Sequence, residues 1–287
     1  MTTKTIMVTG ASGHLGNKIV ERLLQQKAKV IAGSRNLEKL QPLKARGAEL
    51  RQVDFDQPQN LPEAFKGVDK LLIVSTDSLA VPGLRLKQHE AAVLAAQKAG
   101  VKQIVYTSLP NPDSSYIFFA PDHLGTEKAI KATGIDYIIL RNNWYAENIL
   151  DAVKNAIQSG VYASSTENGK VSFVSRNDCA EAAAAVLLSD KYHNVTLDIV
   201  NAEAWSSQDI AKIAGEISGK EIRYTPITND QLRAGLESHK LPAFVVDLFG
   251  TYEKTVAANK MAMTSSLLLE LTGKKPETLK EFISHNI

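Results

Sequence analysis

A single cysteine, Cys179, stands among 287 residues. No disulfide can close within the chain, so the composition fits a reducing compartment and a cytoplasmic location is expected. Cys179 lies at the start of an alanine-rich helical pattern, where a small buried residue is the favoured reading over a nucleophile. Long apolar runs are also missing: none reaches the roughly eighteen residues that span a bilayer. Charge of one sign is not in excess, with 33 Lys and Arg against 31 Asp and Glu. The longest basic run is Lys274-Lys275, so neither nucleic acid nor membrane insertion is expected. His and Cys residues show no pair at ligand spacing, which argues against a metal site, and no Gly-x-Ser-x-Gly elbow is present. The segment from Thr5 to Thr9 already reads as a strand, leaving no room for a leader peptide ahead of it.

What the chain does contain is alternation. Short β-branched runs at Ile6–Thr9, Lys29–Gly33, Glu49–Val53, Lys70–Ser75, Gln103–Ser108 and Asp136–Arg141 are separated by helical patterns at Leu15–Leu24, Leu37–Ala45, Leu61–Phe65, His89–Ala99 and Asp122–Thr133. Continuous apolar strands between helices predict a doubly wound parallel α/β sheet of the Rossmann type, covered on both faces. Beyond residue 147 the pattern changes. Thr196–Val200 reads as a seventh strand returning to the sheet, and most of the rest is helical. The expected organisation is therefore a nucleotide-binding domain over 1–147, with 176–203 returning to it, and a smaller, mostly helical substrate lobe over 148–287.

The strongest motif is Val8-Thr9-Gly10-Ala11-Ser12-Gly13-His14-Leu15-Gly16, placed directly after a strand and before an amphipathic helix. In that context Gly10 permits the tight turn. Gly13 lets backbone N–H groups approach a pyrophosphate, and Gly16 lets the helix pack against the strand. The helix start then presents partial positive charge to the phosphates, with Ser12, His14 and Leu15 lining the same turn. After the second strand, where an NAD-binding protein carries an acid for the ribose 2′-OH, this chain has Gly33-Ser34-Arg35-Asn36. Arg35 suits a 2′-phosphate, so NADP(H) is the expected cofactor. Asp54 and Phe55, after the third strand, are candidates to flank the adenine.

Ligands of open α/β sheets lie at the carboxyl ends of the strands. Those ends carry Ser75 and Thr76, Thr107 and Ser108, then Arg141, Asn142, Asn143, Trp144 and Tyr145. Asn142 and Asn143 are read as ligands of a carboxamide or of a substrate oxygen. Trp144 and Tyr145 are read either as flat faces for an aromatic substrate or as ordinary packing. The apolar stretch Tyr116–Ala120 is either a lid or a partner surface.

The glycine turn, with its three-and-three spacing, joins Tyr106-Thr107-Ser108-Leu109, His123 with Glu127-Lys128, and Leu140-Arg141-Asn142-Asn143-Trp144-Tyr145 followed by Glu147-Asn148. On these segments the chain resembles the NmrA-like atypical short-chain dehydrogenase/reductases, most closely the bacterial NAD(P)H:quinone oxidoreductases among them. The likeness runs over nearly the whole chain and is strongest before residue 150. It implies a flavin-free reductase that moves a hydride from NADPH to a quinone or similar conjugated carbonyl, and a homodimer. In most short-chain dehydrogenases a Tyr-x-x-x-Lys pair handles the proton. Here Lys128 matches the lysine, but Leu124 stands in the tyrosine position. Lys128 is therefore read either as proton donor or as holder of the nicotinamide ribose. His123 is read as a catalytic group at the pocket mouth or as an exposed helix-end residue, and Asn143 as the third catalytic candidate. Because the family also contains redox sensors, an NADP(H)-binding regulatory protein without turnover is the alternative.

Overall fold

A computed structural model of the protein describes residues 4–287. Elements follow the alternation in order: β1 Thr5–Val8, α1 His14–Gln25, β2 Lys29–Ser34, α2 Gln41–Ala45, β3 Glu49–Gln52, α3 Leu61–Ala64, β4 Lys70–Ile73, α4 Leu84–Lys98, β5 Gln103–Ser108, α5 Ala120–Ala132 and β6 Asp136–Asn142. The chain continues through α6 Leu150–Ser159, β7 Val161–Ser164, β8 Lys170–Val171, α7 Arg176–Leu188, β9 Val195–Ile199, β10 Trp205–Ser206, α8 Ser207–Ser218, β11 Arg223–Pro226, α9 Asn229–Ser238, α10 Ala243–Ala257, α11 Leu267–Thr272 and α12 Leu279–Asn286.

Seven strands form the main sheet in the order β3-β2-β1-β4-β5-β6-β9, and the pairs from β3 through β6 are all parallel. The order turns back at β1, the switch point of a doubly wound sheet, and the glycine turn leaves the sheet at that strand. Alternate residues along the strands serve opposite faces. Met7, Ile31, Leu71, Ile73, Ile104 and Tyr106 are buried in one core with residues of α3, α4 and α5. Helix α1 packs with the alanine-rich α7, whose Ala180, Ala182 and Ala183 are buried.

The chain divides into two compact units. The first comprises the chain up to Leu109, with Asp122–Arg141 and Arg176–Asp198. The second comprises Pro110–Pro121, Asn142–Ser175 and Ile199–Ile287. The break therefore falls at Arg141/Asn142 rather than after residue 147, and residues 110–121 belong with the second unit. The reason lies in hydrogen bonding and packing past the strand end. Asn143 N donates to Ile199 O at 3.0 Å, Ala146 N donates to Val174 O at 2.9 Å, and Trp144 stacks on Tyr252, all within the second unit. That unit also holds two small sheets, antiparallel β10-β8 and parallel β11-β7. Among the described residues no helix is long and apolar enough to cross a membrane.

At the switch point Gly10 adopts φ +62°, a left-handed conformation that glycine takes without strain. Gly13 N donates back to Gly10 O at 2.9 Å, and Ala11 N donates to Gly33 O at 3.0 Å. A Cβ placed on Gly16 would lie 2.4 Å from the Gly10 carbonyl oxygen and 2.8 Å from its carbon. Backbone atoms cannot step aside as a side-chain tip would. Gly16→Ala is expected to lower the unfolding free energy by about 1–3 kcal/mol, as overpacking does. Urea denaturation checks this; an alanine variant as stable as the parent would contradict the close approach.

Candidate functional site

The turn between β1 and α1 has the chemistry of an anion cradle. Helix α1 begins after Gly13, which is extended and makes no side-chain cap. The first N–H groups of a helix have no intrahelical acceptor, and here no side chain takes them. Gly10, Ser12, Gly13 and His14 are exposed, whereas Leu15 and Gly16 are buried and anchor the helix. Ser12 Oγ lies 2.8 Å from Ser34 Oγ, tying the turn to the end of β2.

Ser34 also accepts from Asn36 N at 3.1 Å, and Asn36 Oδ1 accepts from Glu38 N at 2.9 Å. This pair of side-chain turns aims the chain away from the sheet just where Arg35 emerges. Arg35 is exposed, and no hydrogen bond or ion pair engages it among the described residues. A guanidinium left unengaged beside an open helix start suits a phosphate. Asp54 accepts from Asp56 N at 3.1 Å in a local turn, and Phe55 is half-buried against the core.

At the next strand ends the hydroxyls are largely engaged with protein groups. Thr107 Oγ1 accepts from Ser75 N at 2.9 Å and donates to Ser75 Oγ at 3.3 Å. Thr76 is held on three sides: its N–H donates to His89 Nε2 at 3.0 Å, its hydroxyl to Gln88 Oε1 at 2.8 Å, and its carbonyl accepts from Arg85 Nε at 2.7 Å. Thr76 is thus anchored through its N–H, hydroxyl and carbonyl.

Helix α5 separates the expected catalytic pair. His123, Thr126 and Glu127 are buried and Lys128 is exposed. Gly125 lets α5 lie tightly against α4, since a Cβ there would come 2.7 Å from Leu86 Cδ1. His123 is neither exposed nor available as an acid. Arg85 Nη2 lies 2.9 Å from its Nε2, and the hydroxyl of Tyr106 lies 2.9 Å from its Nδ1. Burial first, then the Arg85 charge and His89, hold its pKa well below the ordinary histidine value. The expectation that His123 sits exposed at a helix end or at the pocket mouth is corrected: the residue is buried, and its environment favours the neutral ring. Burial, then Arg85, likewise brings His89 down to about 3.

Beside this group, Glu127 forms a two-pronged pair with Arg141, at 2.9 Å to Nε and 2.7 Å to Nη2, and accepts from Ser108 Oγ at 2.6 Å. The pair locks the ends of β5 and β6 to α5.

In the second unit the two asparagines part company. Asn143 Nδ2 donates to Met261 O at 3.0 Å and its Oδ1 accepts from Trp144 N at 2.9 Å. Both polar side-chain atoms thus have a partner within the chain. Trp144 is buried and stacked on Tyr252, with centroids 4.0 Å apart and planes 17° apart. That ring face is covered by Tyr252. Asn142, the last residue of β6, donates from Nδ2 to Tyr145 Oη at 3.3 Å, and its buried Oδ1 has no hydrogen-bond partner. Such an orphaned acceptor costs about 1–3 kcal/mol unless something fills it. Tyr145 is half-buried, its hydroxyl in contact with Asn142.

Sequence reasoning assigned no site role to Arg85, Gln88, His89 or Glu127. The available signal was spacing. Arg85 and His89 stand four apart on α4, and His123, Thr126 and Glu127 stand at one face of α5, so each set shares a side of its helix.

A parallel sheet with this glycine turn at its switch point defines a Rossmann-type α/β protein of the dinucleotide-binding class. The chain belongs to the NmrA-like family, whose pattern it matches over residues 2–283. It is 34% identical to quinone oxidoreductase 2 of Escherichia coli strain K12 over 98% of both chains. It is 25% identical to the NAD(P)H azoreductase of Xenophilus azovorans over 96% of both. Its structure is similar to that of an NADPH-dependent quinone oxidoreductase of Escherichia coli complexed with NADPH, with a TM-score of 0.93, 33% identity and coverage of 98% and 99%. A triphenylmethane reductase of Citrobacter sp. complexed with NADP(H) gives a TM-score of 0.92 at 33% identity, over 98% of this chain and all of that one.

The two buried histidines set a pH dependence of stability. Both are neutral in the folded protein, whereas in the unfolded chain each binds a proton below about pH 6.5. The unfolded state therefore takes up more protons as pH falls, and stability is full above 6.5 and lost below it, for His89 down to about 3. Each histidine contributes a slope of up to about 1.4 kcal/mol per pH unit in that window. Exposed His193, raised by its hydrogen bond to Asp136, runs the opposite way but is screened by solvent. Urea denaturation at pH 7 and pH 5 should show the protein weaker at pH 5, with a shallower fall in His89→Gln; equal stability at the two values would contradict neutral burial.

Proposed function

We propose that the protein is an NADPH-dependent reductase that passes a hydride to a quinone or a similar conjugated carbonyl, without flavin. The observation that carries this reading is the cradle itself: an uncapped helix start, glycine where a Cβ would collide with the turn, and an unengaged Arg35 beside it. Whole-length likeness to an Escherichia coli quinone oxidoreductase solved with NADPH supports the same reading.

The residues present fit the nucleotide. The backbone N–H groups after Gly13 hold the pyrophosphate, Arg35 pairs with the 2′-phosphate, and Asp54 and Phe55 border the adenine. Ser75 Oγ keeps a proton to donate beside the turn, because it accepts from Thr107 rather than donating to it. Asn142 Oδ1 offers a lone acceptor to an amide N–H or a substrate hydroxyl. NADPH, when bound, supplies the hydride.

The reduced carbonyl oxygen also needs a proton. With His123 neutral and buried and Leu124 without a proton to give, that task falls to solvent-facing Lys128, either directly or through water. Holding the nicotinamide ribose is compatible with the same side chain.

Two measurements test the reading. Purified protein mixed with NADPH and a small benzoquinone should consume NADPH faster than a protein-free control. Tight NADPH binding without turnover across several quinones would instead fit a sensor. Arg35→Asp should weaken NADPH by ~10- to 100-fold, the range of a charge-assisted contact, while NADH is weakened far less. An equal loss for both nucleotides would remove Arg35 from the 2′-phosphate.

A further inference from the structure

The first unit buries a polar cluster in a place where apolar packing would serve the core. Arg85, Gln88 and His89 of α4, Tyr106 of β5 and His123 and Thr126 of α5 are all buried, each at most 5% exposed. Two obligate donors fix its proton arrangement. The Thr76 N–H donates to His89 Nε2, so the His89 proton is on Nδ1, 3.0 Å from Thr126 Oγ1 and 3.3 Å from the Tyr106 hydroxyl. Arg85 can only donate, so His123 Nε2 accepts and its Nδ1–H points to Tyr106. Thr126 in turn donates to Asp122 O at 2.7 Å. A network with its tautomers set at both ends has one arrangement, and it rigidifies what it holds.

What it holds is a loop. Three side chains from the first turns of α4 take the N–H, hydroxyl and carbonyl of Thr76, just after β4. Gln88 also donates to Asp56 Oδ1 at 2.8 Å, tying in the loop after β3. The loop after β4 follows a strand whose carboxyl end borders the glycine turn: β4 pairs with β1, and Thr9 N donates to Leu72 O, whereas β3 stands one strand further out, beyond β2.

We infer that Arg85, Gln88 and His89 are positioning residues of the nucleotide site, acting through Thr76 to keep the loop after β4 in its binding arrangement before the nucleotide arrives. This rests on the assignment of NADPH to the strand ends. None of the three is a ligand. They set the fraction of molecules whose loop is ready, and the apparent dissociation constant scales inversely with that fraction.

The test compares parent protein, His89→Leu and His89→Gln in direct NADPH titrations and in steady-state kinetics. Leucine removes the acceptor for the Thr76 N–H, whereas the glutamine carbonyl can replace Nε2. His89→Leu should bind NADPH roughly 10-fold more weakly, with kcat at saturating NADPH within about 2-fold of the parent. His89→Gln should recover most of the affinity. Hydrogen exchange should show the Thr76 amide protected in the nucleotide-free parent and unprotected in His89→Leu. If His89→Leu does not fold, Gln88→Leu, which leaves both histidines in place, should still weaken NADPH by about 3-fold. A parent that binds NADPH together with variants that bind it equally well would overturn the positioning role alone. A parent that fails to bind NADPH would overturn the nucleotide assignment as well.

Discussion

The contact between Gly16 and the Gly10 carbonyl sets the geometry on which the rest depends. The helix starts so close to the strand that any side chain at residue 16 would collide with backbone. Because it starts there, its open N–H groups emerge at the switch point of the sheet instead of being buried under a longer turn. The N-cap residue is Gly13, which has no side chain to take those donors. In this protein α8, α9 and α12 all begin with capping boxes, at Ser206, Thr228 and Thr278. Helix α1 has no such cap, as is also true of α2, α3, α4, α6, α10 and α11; at the switch point of the sheet an anionic ligand is the natural acceptor for its open donors.

The second constraint is the polar seam between α4 and α5. Burying an arginine, two neutral histidines and a tyrosine is costly unless each finds its partner. The seam works because Gly125 and Leu86 bring the helices together and because backbone donors and acceptors from the Thr76 loop complete it. The Glu127–Arg141 pair does the same for the ends of β5 and β6, where Ser108 adds a hydrogen bond to the carboxylate. Two rigid polar anchors therefore stand behind the strand ends, while the groups facing outward, Arg35 and Lys128, keep their freedom.

Much of this fold is legible in the sequence, because strand and helix periods alternate cleanly and glycine punctuates the first turn. All seven strands of the main sheet are readable, including the late return at residues 195–199, since β-branched runs between turn residues are a local signal. Less legible is where α4 begins. The alanine-rich stretch reads as helical from His89, but the helix starts at Leu84, after Gly83. Those five residues carry Arg85 and Gln88 inward, and a reading by apolar spacing leaves them outside because they are polar. Similarly, the helical face of α5 looks divided between His123 and Lys128. Only the contact with α4 decides that His123, Thr126 and Glu127 face in and Lys128 faces out. The Asn142–Asn143 pair shows the same limit: identical side chains on consecutive residues point to different partners, and one is consumed by Met261 and Trp144 while the other keeps an empty acceptor.

Leu124, at the position where most short-chain dehydrogenases carry tyrosine, then has a structural counterpart. A phenol one turn ahead of Lys128 would place a second acid on the half-buried side of α5, beside His123. Here that position carries no proton, and the Tyr106 phenol is sealed within the histidine network, with burial holding its pKa well above the ordinary value. A proton leaving Tyr106 would create a phenolate in a fully buried setting, and the His123 that would stabilise it is itself held neutral. The seam is therefore built for holding its protons, not for passing them on. Carbonyl substrates whose reduced oxygen is a strong base would need a dedicated acid. A quinone is less demanding, because its reduced oxygen is a phenolate that accepts a proton from water or from an exposed ammonium.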